Sequence, residues 1–152
     1  MTRRKTHSER KGPVAHHVAP VNGRNAAVAQ SPRRALVVEA DPGTGDTCVS
    51  AVKRCGLIAD IVEDGVAAVS SARRVQPDLI IVDMQLRDST GLEVIRWLRS
   101  NPALKSTPTI VLSTNAGDVS RNELWDVDAV ILKPLTLAEM ESTIRDLLAA
   151  PV

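Results

Sequence analysis

Short apolar runs alternate strictly with helix-like segments from residue 35 to the end of the chain. Five runs are rich in Val, Ile and Leu, namely ALVV, LIADIV, DLIIVD, TIVLS and AVILK. Apolar runs of this length without regular polar alternation indicate strands that are buried on both faces, as in a parallel sheet covered by helices. The pattern therefore predicts an α/β fold, doubly wound around a five-stranded parallel sheet.

The segments between these runs carry the signals of helix ends. We predict five helices, over about 44–55, 65–75, 91–99, 119–125 and 137–149. Gly56, Pro77 and the pair Asn101-Pro102 are typical of residues that follow a helix, and they end the first three. The last helix repeats its apolar residues at three- and four-residue steps, which predicts one buried face.

The charge of the chain is divided unevenly. Residues 1–34 carry eight Lys/Arg and one acidic residue, whereas the remainder carries eleven basic and seventeen acidic residues. The early segment also contains Pro and Gly and lacks a sustained apolar period, so we predict a basic, disordered tail over 1–33 and a folded domain over 34–152. DNA binding through the tail is an alternative, but no helix-turn-helix pattern supports it, and we do not expect a nucleic-acid partner.

The composition excludes several functional classes. All three His lie in the first seventeen residues, so the later chain has no imidazole for a catalytic dyad, and the absence of Tyr and Phe argues against a base-stacking surface. Cys48 and Cys55 would lie about 10.5 Å apart along a helix, beyond disulfide reach, which fits a reducing cytoplasm. No apolar run approaches the roughly 18 residues that span a bilayer.

Polar residues collect where the predicted strands end. Because ligands of open parallel sheets bind beyond the carboxyl ends of the strands, we expect these side chains to share one site. The residues are Glu39-Ala40-Asp41, Asp83, Ser113-Thr114 and Lys133-Pro134. An Asp carboxylate can accept a phosphoryl group as a mixed anhydride, and Asp83 is the candidate.

The other strand-end residues suit the same chemistry. Mg²⁺ prefers carboxylate and carbonyl oxygens, which Glu39, Asp83 and the backbone of Gln85 would supply. Lys133 would place a positive charge on the phosphoryl oxygens, and the Ser113 hydroxyl would donate to them. Each strand-end residue alone is explained as an ordinary polar residue, but Glu39, Asp83, Ser113 and Lys133 together favour a phosphoryl site.

Four segments resemble the receiver domains of bacterial two-component response regulators, the family of the chemotaxis receiver protein. They are VVEADP, LIIVDMQLRDSTGLEVIRWLR, PTIVLST and VILKP, and the resemblance covers about residues 34–149. It implies the strand order 2-1-3-4-5 and phosphorylation of Asp83 by a sensor histidine kinase or phosphotransfer protein. It also implies that Lys133 contacts the phosphoryl group, that Ser113 moves to meet it, and that Mg²⁺ assists.

The sequence departs from the family pattern at several positions. Ala40 replaces the second acid after the first strand, the usual direct metal ligand, which predicts weakened Mg²⁺ binding, and we expect Asp41 not to replace it. Val130 stands where most receivers have an aromatic switch residue. Arg87 stands where a Pro is common, and the fourth helix is abbreviated, so the usual partner-binding face is altered.

The resemblance predicts a single-domain phosphoacceptor that signals through protein contacts and is not an enzyme. A homodimer is a further expected partner, because receivers often pair through their last two helices. The alternative is a pseudo-receiver, an interaction domain that acts without phosphorylation, as Ala40 and Val130 suggest. A haloacid-dehalogenase-like phosphatase also uses a strand-end Asp, but its second Asp would stand where this chain has Gln85.

Overall fold

Five parallel strands form one sheet in the order β2-β1-β3-β4-β5. The computed structural model describes residues 31–120 and 126–149. The strands are β1 (Arg34–Val38), β2 (Ile58–Val62), β3 (Leu79–Asp83), β4 (Thr109–Ser113) and β5 (Ala129–Leu132). Both the predicted α/β class and the predicted strand order are confirmed.

Helices cover both faces of this sheet. They are α1 (Pro42–Arg54), α2 (Gly65–Val75), α3 (Gly91–Ser100) and α4 (Leu137–Ala149). Apolar residues of α1 and α4 pack in one buried cluster with the sheet, whereas those of α2 and α3 pack in a second cluster on the other face. Four of the five predicted helices are therefore present, with bounds that differ from the predicted ones by at most two residues.

The central strands separate the two clusters. Along β3, Leu79 and Ile81 face the α1/α4 cluster, while Ile80 and Val82 face the α2/α3 cluster. This alternation of an unbroken apolar run between two cores is the reason that the run lacks polar residues. The edge strand β2 differs, because its Ile58 and Ile61 are exposed.

A side chain at the start of each of the first three helices caps it. Asp41 accepts from the Thr44 amide at 2.8 Å, and Asp64 accepts from the Ala67 amide at 2.7 Å. Thr90 forms a capping box with Glu93. Caps of this kind satisfy amides that have no partner within the helix, and they fix where the loops above the sheet end.

The fourth predicted helix is only partly described. A short 3-10 helix over Ala116–Ser120 stands at its beginning, three residues earlier than predicted, and 121–125 lie outside the described residues, with Trp125 among them. Nearly all of the predicted tail, residues 1–30, also lies outside them. Among the helices that the structure describes, none is long and apolar enough to cross a membrane.

Candidate functional site

Three side chains meet at the carboxyl edge of the sheet. Asp83 is the last residue of β3, Glu39 follows β1, and Lys133 follows β5. The Lys133 Nζ atom donates to Asp83 Oδ2 at 2.7 Å and lies 2.8 Å from Glu39 Oε2. The structure thus brings together three residues that the sequence had placed at separate strand ends.

This cluster is largely removed from solvent. Glu39 is 2% exposed and Asp83 is 6% exposed. Burial raises the pKa of the Glu39 carboxyl, because a charge is less stable away from water. Burial lowers the pKa of Lys133, but the hydrogen bond to Asp83 and the close ion pair with Glu39 outweigh burial, so the net pKa is raised. Two carboxyl groups therefore share one ammonium at this edge of the sheet.

Backbone groups of the loop after Asp83 fix the position of this residue. The Gln85 amide donates to Asp83 Oδ1 at 3.1 Å, and the Gly91 amide donates to the Met84 carbonyl at 2.9 Å. A Cβ atom at Gly91 would overlap the Asp83 carbonyl oxygen and lie 2.9 Å from its carbonyl carbon. Gly91 is therefore required by close approach, a role that the sequence analysis did not identify.

Asp88 ties the same loop to the start of α2. Its carboxylate accepts from the Gly65 amide at 2.7 Å and from the Val66 amide at 3.1 Å. The hydrogen bond from Gly65 is the main cause that lowers the pKa of Asp88. The sequence analysis missed this contact, because the acid and the helix it caps are more than twenty residues apart.

The Ser113 hydroxyl has local partners. Its backbone carbonyl accepts from the Lys133 amide at 2.8 Å, which places Ser113 at the same edge of the sheet as the charged cluster. Its Oγ atom donates to Asp118 Oδ2 at 2.6 Å and accepts from the Asn115 amide at 3.0 Å. Asp118 is itself buried, with 8% exposure, and the sequence analysis did not identify it.

The oxygen atoms at this edge match Mg²⁺ in kind but are few. Asp83 and Glu39 supply carboxylates, and the buried Glu39 Oε2 lacks a hydrogen bond of good geometry from the described residues. The Gln85 carbonyl stays a predicted third donor. Over the two described ranges, no group of three or more His, Cys, Asp or Glu side chains could hold a metal. These donors fit an incomplete magnesium site.

The Asp41 carboxylate is engaged at the first turn of α1. Its Oδ2 atom accepts from both the amide and the hydroxyl of Thr44, each at 2.8 Å. The backbone hydrogen bond from Thr44 is the largest cause that lowers the pKa of Asp41. The carboxylate is thus used as the cap of α1, and the neighbouring Ala40 offers only a methyl group.

The other two departures have ordinary structural roles. Val130 pairs with Val111 in the sheet and packs, half-buried, against the α2/α3 cluster. Arg87 is exposed, and its Nη1 atom lies 3.0 Å from Glu63 Oε2. Val130 fills its site as an aliphatic side chain, and Arg87 extends the loop after Asp83 towards the end of β2.

Comparison with known proteins gives consistent matches. The family model of the response regulator receiver domain matches residues 35–145. The polar-differentiation response regulator DivK of Brucella anthropi is 36% identical over 87 residues, which are 56% of this chain and 71% of DivK. The transcriptional activator protein IrlR of Burkholderia pseudomallei is 33% identical over 117 residues, 76% of this chain and only 50% of IrlR.

A solved structure shows the same fold. The receiver domain of the sensor histidine kinase PA1611 from Pseudomonas aeruginosa has a TM-score of 0.70 and 24% identity, over 79% of this chain and 100% of that one. That structure holds a magnesium ion coordinated in its active site cleft. At this level of identity the likeness supports the fold of the present chain.

Proposed function

The chain belongs to the response regulator receiver domain family of two-component signalling, and from this premise we propose that Asp83 accepts a phosphoryl group from a histidine kinase or phosphotransfer protein. The observation that carries the proposal is the contact of Lys133 Nζ with both Asp83 and Glu39, at 2.7 and 2.8 Å. A carboxylate beside a fixed cation at a sheet edge suits phosphoryl transfer, because the cation neutralises charge on the transferred oxygens.

The residues of this chain have separate roles in the proposed step. One carboxylate oxygen of Asp83 attacks phosphorus, the bond from phosphorus to the donor nitrogen breaks, and the donor keeps that electron pair. Lys133 contacts Glu39 as well as Asp83, so it stays at the site when the negative charge passes from the Asp83 carboxylate to the phosphoryl oxygens. The hydrogen bond that the Gln85 backbone amide donates to Oδ1 orients the Asp83 carboxylate.

We propose that Mg²⁺ binds weakly at the same edge. Asp83, Glu39 and the Gln85 carbonyl would hold it, as sequence analysis predicts. The ion would supply charge neutralisation for the phosphoryl oxygens. The magnesium in the PA1611 receiver domain supports this assignment, whereas the methyl group of Ala40 argues for a lower affinity than a site with a further acid would have.

A pseudo-receiver is the second candidate function. The capping role of the Asp41 carboxylate favours it, because an oxygen that accepts two hydrogen bonds from Thr44 is not free to act as the missing ligand. In either case the output is a protein contact: phosphorylation of Asp83 would shift the population between two conformations, whereas a pseudo-receiver would bind its partner without that shift. Homodimerisation is a further proposed contact.

Intact mass after incubation with acetyl phosphate and Mg²⁺ tests the phosphoacceptor role. We expect a phosphoryl adduct of about 80 Da that hydroxylamine removes, as it removes acyl phosphates. Asp83→Asn should abolish the adduct, and Asp146→Asn, which changes an exposed acid on α4, should not. If neither wild type nor Ala40→Asp forms the adduct, and Asp83→Asn leaves partner binding unchanged, the pseudo-receiver function stands instead.

A further inference from the structure

The hydroxyl of Ser113 is committed to a buried carboxylate. The Ser113 Oγ atom donates to Asp118 Oδ2 at 2.6 Å, within the range of charge-assisted O–H···O⁻ bonds. Both residues are buried, at 1% and 8% exposure, so water competes little for either partner. A serine hydroxyl has one proton, and donation to Asp118 therefore excludes simultaneous donation to a phosphoryl oxygen on Asp83.

We propose that Asp118 is a positioning residue that holds the Ser113 hydroxyl out of the phosphoacceptor cleft until Asp83 is modified, an inference that rests on the proposed function. For Ser113 to bond a phosphoryl oxygen, Asp118 must give up a strong hydrogen bond while its carboxylate stays largely buried. Losing such a bond shifts an equilibrium by about tenfold or more. Asp118 thereby sets how readily the site accepts a phosphoryl group.

The surroundings of Ser113 allow this exchange. The Asn115 carbonyl lies 3.2 Å from Ser113 Oγ, but it is neutral and farther away than the carboxylate, so it is the weaker acceptor. A cavity of about 250 Å³ lies between the loop after β3 and the loop after β4, with Gln85 and Asp118 among its lining residues. The two loops therefore have room to rearrange when the hydroxyl changes partner.

Beryllofluoride, a mimic of the phosphoryl group, provides the test. Its affinity in the presence of Mg²⁺ is measured by ¹⁹F NMR titration of the full chain and of Ser113 and Asp118 variants. We expect Asp118→Ala to tighten binding about tenfold. Asp118→Asn removes the charge but keeps an oxygen acceptor, and it should tighten binding less. In a Ser113→Ala background, Asp118→Ala should have no further effect.

The double variant separates positioning from plain electrostatics. A tightening that persists in the Ser113→Ala background, or one that is equal in Asp118→Ala and Asp118→Asn, would show that removal of negative charge is the whole cause. Either result overturns the inference, and so does unchanged affinity in Asp118→Ala.

A second measurement needs no phosphoryl mimic. The Asn115 amide donates to Ser113 Oγ at 3.0 Å, so its ¹⁵N–¹H resonance reports the position of the hydroxyl. We expect it to move in Asp118→Ala and to stay in place in Asp146→Ala. A further outcome is that wild type binds no beryllofluoride while Asp118→Ala still shifts this resonance and changes the Ser113 rotamer in crystals. In that case the proposed function fails, and the contact between Ser113 and Asp118 stands. An unchanged resonance and rotamer overturn the contact itself.

Discussion

Replacing Ala40 by Asp should strengthen Mg²⁺ binding at the carboxyl edge of the sheet. The described site offers two carboxylates, from Glu39 and Asp83, and both already contact the Lys133 ammonium within 2.8 Å. An incoming cation must share their oxygens with this ammonium. An acid at position 40 would add oxygens that have no such competitor, at the position where the family has its usual metal ligand.

The expected gain in Mg²⁺ affinity follows from what metal ligands and their supporting groups contribute in other metal sites. Loss of a group that merely supports a metal ligand costs roughly 10- to 100-fold in affinity, and a direct ligand contributes at least as much. We therefore expect Ala40→Asp to lower the Kd for Mg²⁺ by at least about tenfold, or roughly 1.4 kcal/mol. Isothermal titration calorimetry measures this change without any phosphoryl donor.

Asp41→Ala is the matched control for this experiment. It removes the neighbouring carboxylate, which accepts two hydrogen bonds from Thr44 and caps α1. We expect it to lower the unfolding temperature but leave the Kd for Mg²⁺ unchanged. Equal affinities for wild type and Ala40→Asp, or weaker binding in Asp41→Ala, would refute the reasoning, the latter by showing that Asp41 reaches the ion.

Thermal unfolding offers an independent readout of the same prediction. A ligand that binds only the folded state stabilises it according to its concentration relative to its Kd. Without Mg²⁺, a third carboxylate beside Glu39 and Asp83 should destabilise the protein through repulsion of like charges. The increase in unfolding temperature on adding Mg²⁺ should therefore be larger for Ala40→Asp than for wild type.

Three further predictions concern the framework around the site. Arg99 donates hydrogen bonds to the carbonyls of Lys105, Thr107 and Asp126. Arg99→Ala should therefore lower the free energy of unfolding by about 3 kcal/mol in urea titrations. Arg99→Lys should recover less than half of this loss, because lysine lacks the planar guanidinium group. Gly91→Ala should cost about 1–3 kcal/mol in the same titrations, since its Cβ atom overlaps the Asp83 carbonyl; a neutral effect would contradict the close approach. Burial raises the pKa of the Cys48 thiol from 9.0 to about 12, so the folded state keeps a proton that the unfolded state loses, and stability should fall as pH rises from 9 to 12. Urea titrations across this pH range should show a smaller fall in Cys48→Ala.

The charged part of the site could be predicted because strand ends share an edge. Asp83 and Lys133 each follow an apolar run, and parallel strands place such residues together whatever the loops do. Glu39 joins them for the same reason. These placements depend on the direction of the strands, which the apolar runs and the intervening helices indicate.

The contacts that depend on loop conformation could not be predicted. Asp118 reaches Ser113 only because the chain after β4 turns back in a 3-10 helix, where the sequence analysis expected an α-helix that begins later. Ile58 and Ile61 belong to an apolar run that suggested burial on both faces, but β2 is the outermost strand and leaves them exposed. Apolar pattern identifies a strand, whereas its place in the sheet decides its exposure.

The anchoring of the loop between β3 and α3 restricts how this protein can vary in length. Two sets of hydrogen bonds fix the loop over residues 84–90. The Gly91 amide donates to the Met84 carbonyl and closes the loop, and the Asp88 carboxylate accepts from the first amides of α2. An inserted or deleted residue in this loop would break the hydrogen bonds between Asp88 and α2 or displace the Asp83 carboxylate from its hydrogen bond with Gln85. Insertions and deletions in this loop should therefore be far less tolerated than in an exposed turn. A loop sequence taken from another protein would have to keep the length of seven residues.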